Sequence, residues 1–179
     1  MKTKSIVLCM IVTVAYISCG GGQQVKQEAP KQVAESAPSV QATGFDADVW
    51  VKSSNEQLAR VPFDGFAYKS SEVPSQKWDK WAVTAAPVIS GVISKLPEGY
   101  VLQVTGHTDG SGPEDPQGDK PGNIKISTDR ARAVHSALKK KGITSPKMTY
   151  KGIGSSQLLS DVDSRSGAQR RVTFNVVPK

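Results

Sequence analysis

Two side chains of opposite charge mark the ends of one long loop. Asp109 closes the run Thr105-Gly106-His107-Thr108-Asp109, and Arg130 sits in the first turns of a basic helical stretch. An acid after a strand and an arginine on a helix are each held by a rigid element, which limits the ordering cost of gripping a ligand. The arginine fork suits a carboxylate, which it bonds bidentately, and the acid suits an ammonium. The same two charges can equally satisfy one another as a salt bridge, an arrangement that is common and individually worth little. Spacing alone does not choose between the two. His107, two residues before Asp109, has the spacing of half a metal site or of a His–Asp hydrolase pair. No third ligand accompanies it, and His135 falls on a helix elsewhere, so a structural histidine is expected, with no catalytic residue, metal site or cofactor.

The elements that must hold this pair follow from periodicity. Tyr100 to Thr105 reads as a strand rich in branched residues. The loop from Gly106 to Gly122 is rich in Gly, Pro and Asp, and loops of that length are often functional. Asn123 or Ser127 can cap the next helix, whose stripe is Ala131, Val134 and Leu138. Arg130 borders that stripe, and Lys139-Lys140-Lys141-Gly142 ends the helix with cations and a glycine stop. Upstream, Phe66 to Lys69 reads as a strand, and Pro74-Ser75 opens a helix with the stripe Trp78, Trp81, Ala82, Ala85, Val88, Ile89, Val92, Leu96. Pro87 should kink or break that helix. Two tryptophans on one stripe read as core packing rather than a sugar platform. Downstream come a strand at 147–151, a turn at 152–156, a loop at 161–169 and an alternating strand at 171–177. The sum is an α/β class chain, an α+β sandwich of βαβαββ order with helices on one face of a mixed sheet.

Composition supplies the setting. The 179 residues are 37% hydrophobic with net charge +7, which suits one domain plus appendages. Both cysteines, Cys9 and Cys19, lie near the start, so no disulfide staples the domain. Lys2 and Lys4 precede an apolar run from Ile6 to Ile17, too short to span a bilayer and right for an export signal. The run ends in Tyr-Ile-Ser-Cys followed by Gly20, which resembles the lipobox of bacterial lipoproteins, with Tyr16 in place of the usual leucine. That likeness implies a signal peptide over residues 1–18 and a lipidated Cys19. Residues 19–44 hold Gly, Gln, Lys, Glu, Ala, Pro and Ser and read as a disordered linker. Residues 45–61 are an ambiguous lead-in, in which Phe45, Val49, Trp50 and Val51 can cover a domain edge and Asn55 to Arg60 can form a short helix. The main domain is placed at 62–179. No nucleic-acid motif with interleaved aromatics occurs, and the lysines at 139–141 read as a solvated helix end.

The ordered set T-G-H-T-D at 105–109, Asn123 with Ile126-Ser127 and Arg130-Ala131, Gly152-Ile153-Gly154-Ser155-Ser156, and Arg170-Arg171-Val172 resembles the OmpA-like C-terminal domains. These include peptidoglycan-associated lipoproteins and flagellar stator anchors. With the lipobox and linker, the chain looks like the short OmpA-like surface lipoproteins of spirochaetes. The resemblance implies non-covalent binding of peptidoglycan through the diaminopimelate of its stem peptide, without catalysis. It assigns Asp109 to the ligand ammonium, Arg130 to the carboxylate, Asn123 to the pocket lining and Arg170 to a second contact. Tyr68 and Lys69 fall where the family's first strand contributes polar contacts, although the residue types differ. Asp109 and Asn123 are fourteen residues apart, a longer loop than the family usually has, and Gly122 stands where an aromatic residue is common.

The implied role is a lipoprotein of the outer membrane, anchored through acylated Cys19, that tethers the membrane to the wall. Its domain would face the periplasm or the cell surface. The alternative, drawn from basic charge and the anchor, is a surface-exposed adhesin that binds host extracellular matrix.

Overall fold

The computed structural model describes residues 46–179. Cys19, the signal-like segment and the linker lie outside the described residues. Four strands form one sheet in the order β1-β4-β2-β3, with helices packed on it. The elements are α1 (Ala47–Leu58), β1 (Phe63–Asp64), α2 (Ser75–Ser94), β2 (Tyr100–Gly106), α3 (Asn123–Lys140), β3 (Met148–Gly152) and β4 (Arg171–Pro178). A short 3-10 turn, Gly167–Gln169, precedes β4. β2 and β3 run parallel with α3 as their crossover, and β4 is antiparallel to both β2 and β1. The mixed α/β order is the expected one.

One face of the sheet carries Leu102, Val104, Val172, Phe174 and Val176, all essentially buried under the helices. Strict alternation along β2 and β4 puts these residues on one side. α2 contributes Trp78, Ala82, Ala85, Ile89 and Val92, and α3 contributes Ala131, Val134 and Leu138. The tryptophans are core: Phe63 meets Trp78 and Trp81 edge-on at 5.5 and 5.2 Å, and Trp81 stacks on Phe174 at 5.7 Å. The Trp81 indole N–H donates to the carbonyls of Val61 and Pro62. α2 runs through Pro87 without a break. The carbonyl that loses its donor there belongs to Val83, which is 75% exposed and can turn to water.

The lead-in segment is a helix over most of its length rather than a short helix at its end. Asp46 caps it by accepting from the amides of Asp48 and Val49, which fixes the start earlier than Asn55. α1 then covers the edge of β4 left open by the two-residue β1. Asn55 Nδ2 donates to the Val176 carbonyl at 3.1 Å and its Oδ1 accepts from the Val176 amide at 2.7 Å, so one side chain stands in for a neighbouring strand.

The first strand is displaced from its expected place. It occupies Phe63–Asp64, and Phe66 to Lys69 is irregular, closing in a turn whose Ser70 amide donates to the Ala67 carbonyl. The cause is long-range. The carbonyls of Phe66, Ala67 and Ser70 are taken by the guanidinium groups of Arg170 and Arg130, which satisfies them without a strand partner.

Candidate functional site

Two glycines let α3 sit against the ends of β2 and β3. A Cβ on Gly106 would overlap the Ser127 carbonyl, and one on Gly152 would overlap the backbone of Thr128 and the Ser127 hydroxyl. Ser127 is fully buried; its Oγ donates to the Ile124 carbonyl and accepts from the Gly154 amide. It therefore pins the helix to the turn after β3 and does not cap the helix. Asn123 does not cap it either, since the helix begins at Asn123 after Gly122, whose φ is 74°. The amides of Asn123 and Ile124 are taken instead by the loop carbonyls of Pro113 and Glu114. Those two helix N-terminal donors are thus occupied by the chain itself.

Beyond β2 the chain is held at three of its next four amides. His107 donates to the Arg171 carbonyl, Thr108 to that of Gly154 and Gly110 to that of Ser164. This fixes Asp109, which is 3% exposed. Asp109 Oδ1 accepts from the Ser111 amide at 3.1 Å, and Oδ2 accepts from Arg170 Nη1 at 2.9 Å. Arg130 is 1% exposed, the bulkiest fully buried side chain described. Its Nε donates to the Ser70 carbonyl at 2.8 Å, Nη1 to that of His107 at 3.0 Å and Nη2 to that of Ala67 at 3.2 Å. Its guanidinium also lies over the Phe66 ring at 5.2 Å. Burial, then the neighbouring Arg170, pull its pKa down to about 10 against the opposing pull of Asp109, so it stays charged at neutral pH. With five N–H donors and one carbonyl on each nitrogen, one N–H remains on each terminal nitrogen for a ligand.

Asp109, Arg130, Asn123, Tyr68 and Lys69 line one pocket of about 120 Å³, together with Thr108 and the loop residues Ser111 to Pro113 and Lys120 to Gly122. Asp109 and Arg130 make no direct ion pair: Asp109 is bridged to Arg170. Arg170 is not part of the lining and acts on the pocket through Asp109, while its Nε holds the Phe66 carbonyl. Tyr68 and Lys69 sit on the turn after β1 rather than on a strand, and Tyr68 is 57% exposed at the mouth. The long loop is built into the fold. Glu114 accepts from the amide and hydroxyl of Ser155 and from Asn123 Nδ2, and so ties the loop both to the turn after β3 and to α3.

Thr108 and Lys120 were not legible as site residues. Thr108 is 3% exposed, and its buried Oγ1 has no hydrogen-bond partner; the available signal was its place directly before Asp109. Lys120 lay inside a loop whose path only the structure gives. His107 is structural: its Nε2 is 2.9 Å from Thr173 Oγ1, and burial, followed by the charge of Arg171, pushes its pKa down to about 4. Among the described residues no group of His, Cys, Asp or Glu could hold a metal ion, and no helix is long and apolar enough to cross a membrane. Arg171, second of the arginine pair, serves the fold by donating to the carbonyls of Gln169 and Gln157.

Residues 83–171 match the OmpA family model. No curated protein sequence matches the chain. Among solved structures, the peptidoglycan-associated lipoprotein from Burkholderia pseudomallei aligns with a TM-score of 0.51 at 20% identity, covering 68% of this chain and 93% of that one. The OmpA-like domain of FopA1 from Francisella tularensis aligns at 0.47 and 22%, covering 65% and 71%. The C-terminal domain of Helicobacter pylori MotB aligns at 0.48 and 18%, covering 66% and 86%. The matched residues run from the middle of α2 through β2, α3 and β3 to the first residue of β4 and include both ends of the pocket loop, and they identify an OmpA family domain in this chain.

Proposed function

We propose that this chain is a non-catalytic binding module that holds the diaminopimelate of peptidoglycan stem peptides and, anchored through an acylated Cys19, tethers the outer membrane to the wall. One observation carries the reading: a buried acid and a buried arginine, Asp109 and Arg130, line the same pocket without bonding each other. One carbon of diaminopimelate carries an ammonium and a carboxylate. Asp109 keeps acceptor capacity beyond Ser111 and Arg170, and Arg130 keeps an N–H on each terminal nitrogen. Both are held before the ligand arrives, which reduces the ordering cost of binding. Asn123 completes the wall. The name of the Burkholderia relative, a peptidoglycan-associated lipoprotein, agrees with this reading.

The test is sedimentation with purified diaminopimelate-type peptidoglycan. The wild-type chain should pellet, and Asp109→Ala and Arg130→Ala should stay in the supernatant with their circular dichroism retained. Variants that are folded and pellet like wild type would show that this pocket is not the site. Incorporation of labelled palmitate, lost in Cys19→Ser, tests the anchor separately.

A further inference from the structure

The pocket carries more positive charge than a single zwitterion can balance. Its lining holds Lys69, Lys120 and Arg130 against one carboxylate, Asp109. That carboxylate is already shared with Arg170. Neither Lys69 nor Lys120 forms an ion pair among the described residues, and both are exposed at the rim.

Neither lysine is there by default of a floppy surface. Lys69 occupies the third position of the turn Ala67–Ser70 with φ 58°, where glycine or asparagine is the ordinary choice. A non-glycine residue in the left-handed region costs on the order of 1 kcal/mol. The turn cannot relax easily, because its Ala67 and Ser70 carbonyls are the partners of Arg130. The turn that buttresses the buried arginine thus also presents Lys69 at the mouth, with its Nζ 5.2 Å from the Tyr68 ring centre. Elsewhere in the lining, Lys120 is fixed by paired main-chain hydrogen bonds with Gln117, at 3.0 and 3.1 Å. The loop that carries it is in turn tied down through Glu114. Deeper in, the unpartnered Thr108 Oγ1 offers one more polar contact.

We infer that Lys69 and Lys120 form a second subsite at the pocket mouth, for a further carboxylate on the same ligand. The preferred ligand is then a peptide with more carboxylates than ammonium groups. For a stem peptide, this means one whose glutamate α-carboxyl is free rather than amidated. This inference rests on the diaminopimelate reading of the pocket floor and adds the chemistry of its rim.

The experiment is calorimetric titration of the full chain with three probes: free diaminopimelate, a synthetic Ala–γ-Glu–diaminopimelate tripeptide, and the same tripeptide with its glutamate α-carboxyl amidated. The acid tripeptide should bind about tenfold more tightly than the amide, a ratio that shrinks as salt is raised. In Lys69→Asn/Lys120→Gln the ratio between the two tripeptides should fall to near one. Asparagine is chosen at 69 because it tolerates the left-handed backbone. Equal affinity of the two tripeptides for wild type, or a ratio unchanged in the double variant, overturns the subsite and leaves the pocket floor standing. Failure of all three probes to bind overturns both.

Discussion

Asp109 Oδ2 bonds Arg170 Nη1 at 2.9 Å, whereas Arg130, a second arginine at the same pocket, directs its hydrogen bonds to three main-chain carbonyls. The acid is therefore held by one arginine and the pocket is charged by another. Both partners of the bridge are largely buried, so its coupling should exceed that of a surface pair. In double-mutant cycles read by urea denaturation, Asp109→Asn with Arg170→Gln should show a coupling of about 1–3 kcal/mol. Asp109→Asn with Arg130→Gln should show less. A larger coupling to Arg130 would mean that the two pocket charges satisfy each other, and the basis for a ligand clamp would be lost.

Close approach of α3 to the strand ends sets the spacing between Asp109 and Arg130. Gly106→Ala should cost about 3 kcal/mol, because the new methyl meets the Ser127 carbonyl, which is helix backbone and cannot rotate away. Gly91→Ala is the contrast. Gly91 lies inside α2 with nothing within 4 Å of a Cβ, so alanine should stabilise by about 0.5–1 kcal/mol and raise Tm by about 3 °C. Thermal unfolding of the two variants checks both signs.

The strongly periodic parts of the fold were readable because their periodicity is local. The stripe of α2, the branched residues of β2 and the alternation at 171–177 each repeat within a few residues, and each element stands where they placed it. What escaped depends on partners far along the chain. Phe66 to Lys69 has the residue types of a strand, but its carbonyls answer to Arg130 and Arg170, 60 residues or more away. The cap residues proposed for α3 failed for a similar reason: loop carbonyls from Pro113 and Glu114 took the helix amides first. The pocket residues carried by motifs, Asp109, Asn123 and Arg130, were legible. Thr108 was overlooked inside its motif, and Lys120 was invisible because the loop that presents it has no periodicity at all.

Asn55 is the device that closes the sheet on its open side. It bonds both the amide and the carbonyl of Val176, which the short β1 does not reach. Asn55→Ala leaves both main-chain groups without that partner and should cost about 2 kcal/mol. It also bares a strand edge, the usual route to edge-to-edge association. The variant should therefore melt lower and show concentration-dependent light scattering near its transition. Unchanged melting would mean that α1 packing alone covers the edge.

His107 should give the domain a recognisable acid sensitivity. Burial holds its pKa at about 4 against an ordinary 6.5. Between these values the unfolded chain takes up a proton that the folded chain refuses, so stability falls as pH drops through this window. The contribution is fully present above pH 6.5 and is lost by about pH 4, an effect on the order of 3 kcal/mol. His107→Gln keeps a polar group beside Thr173 and cannot titrate. Carboxylates elsewhere titrate in both proteins and cancel in the comparison. The stability difference between wild type and variant, measured by urea denaturation from pH 7 to pH 4, should therefore shift steadily against wild type as the medium is acidified. Parallel curves across that range would show that the imidazole is not held neutral by the fold.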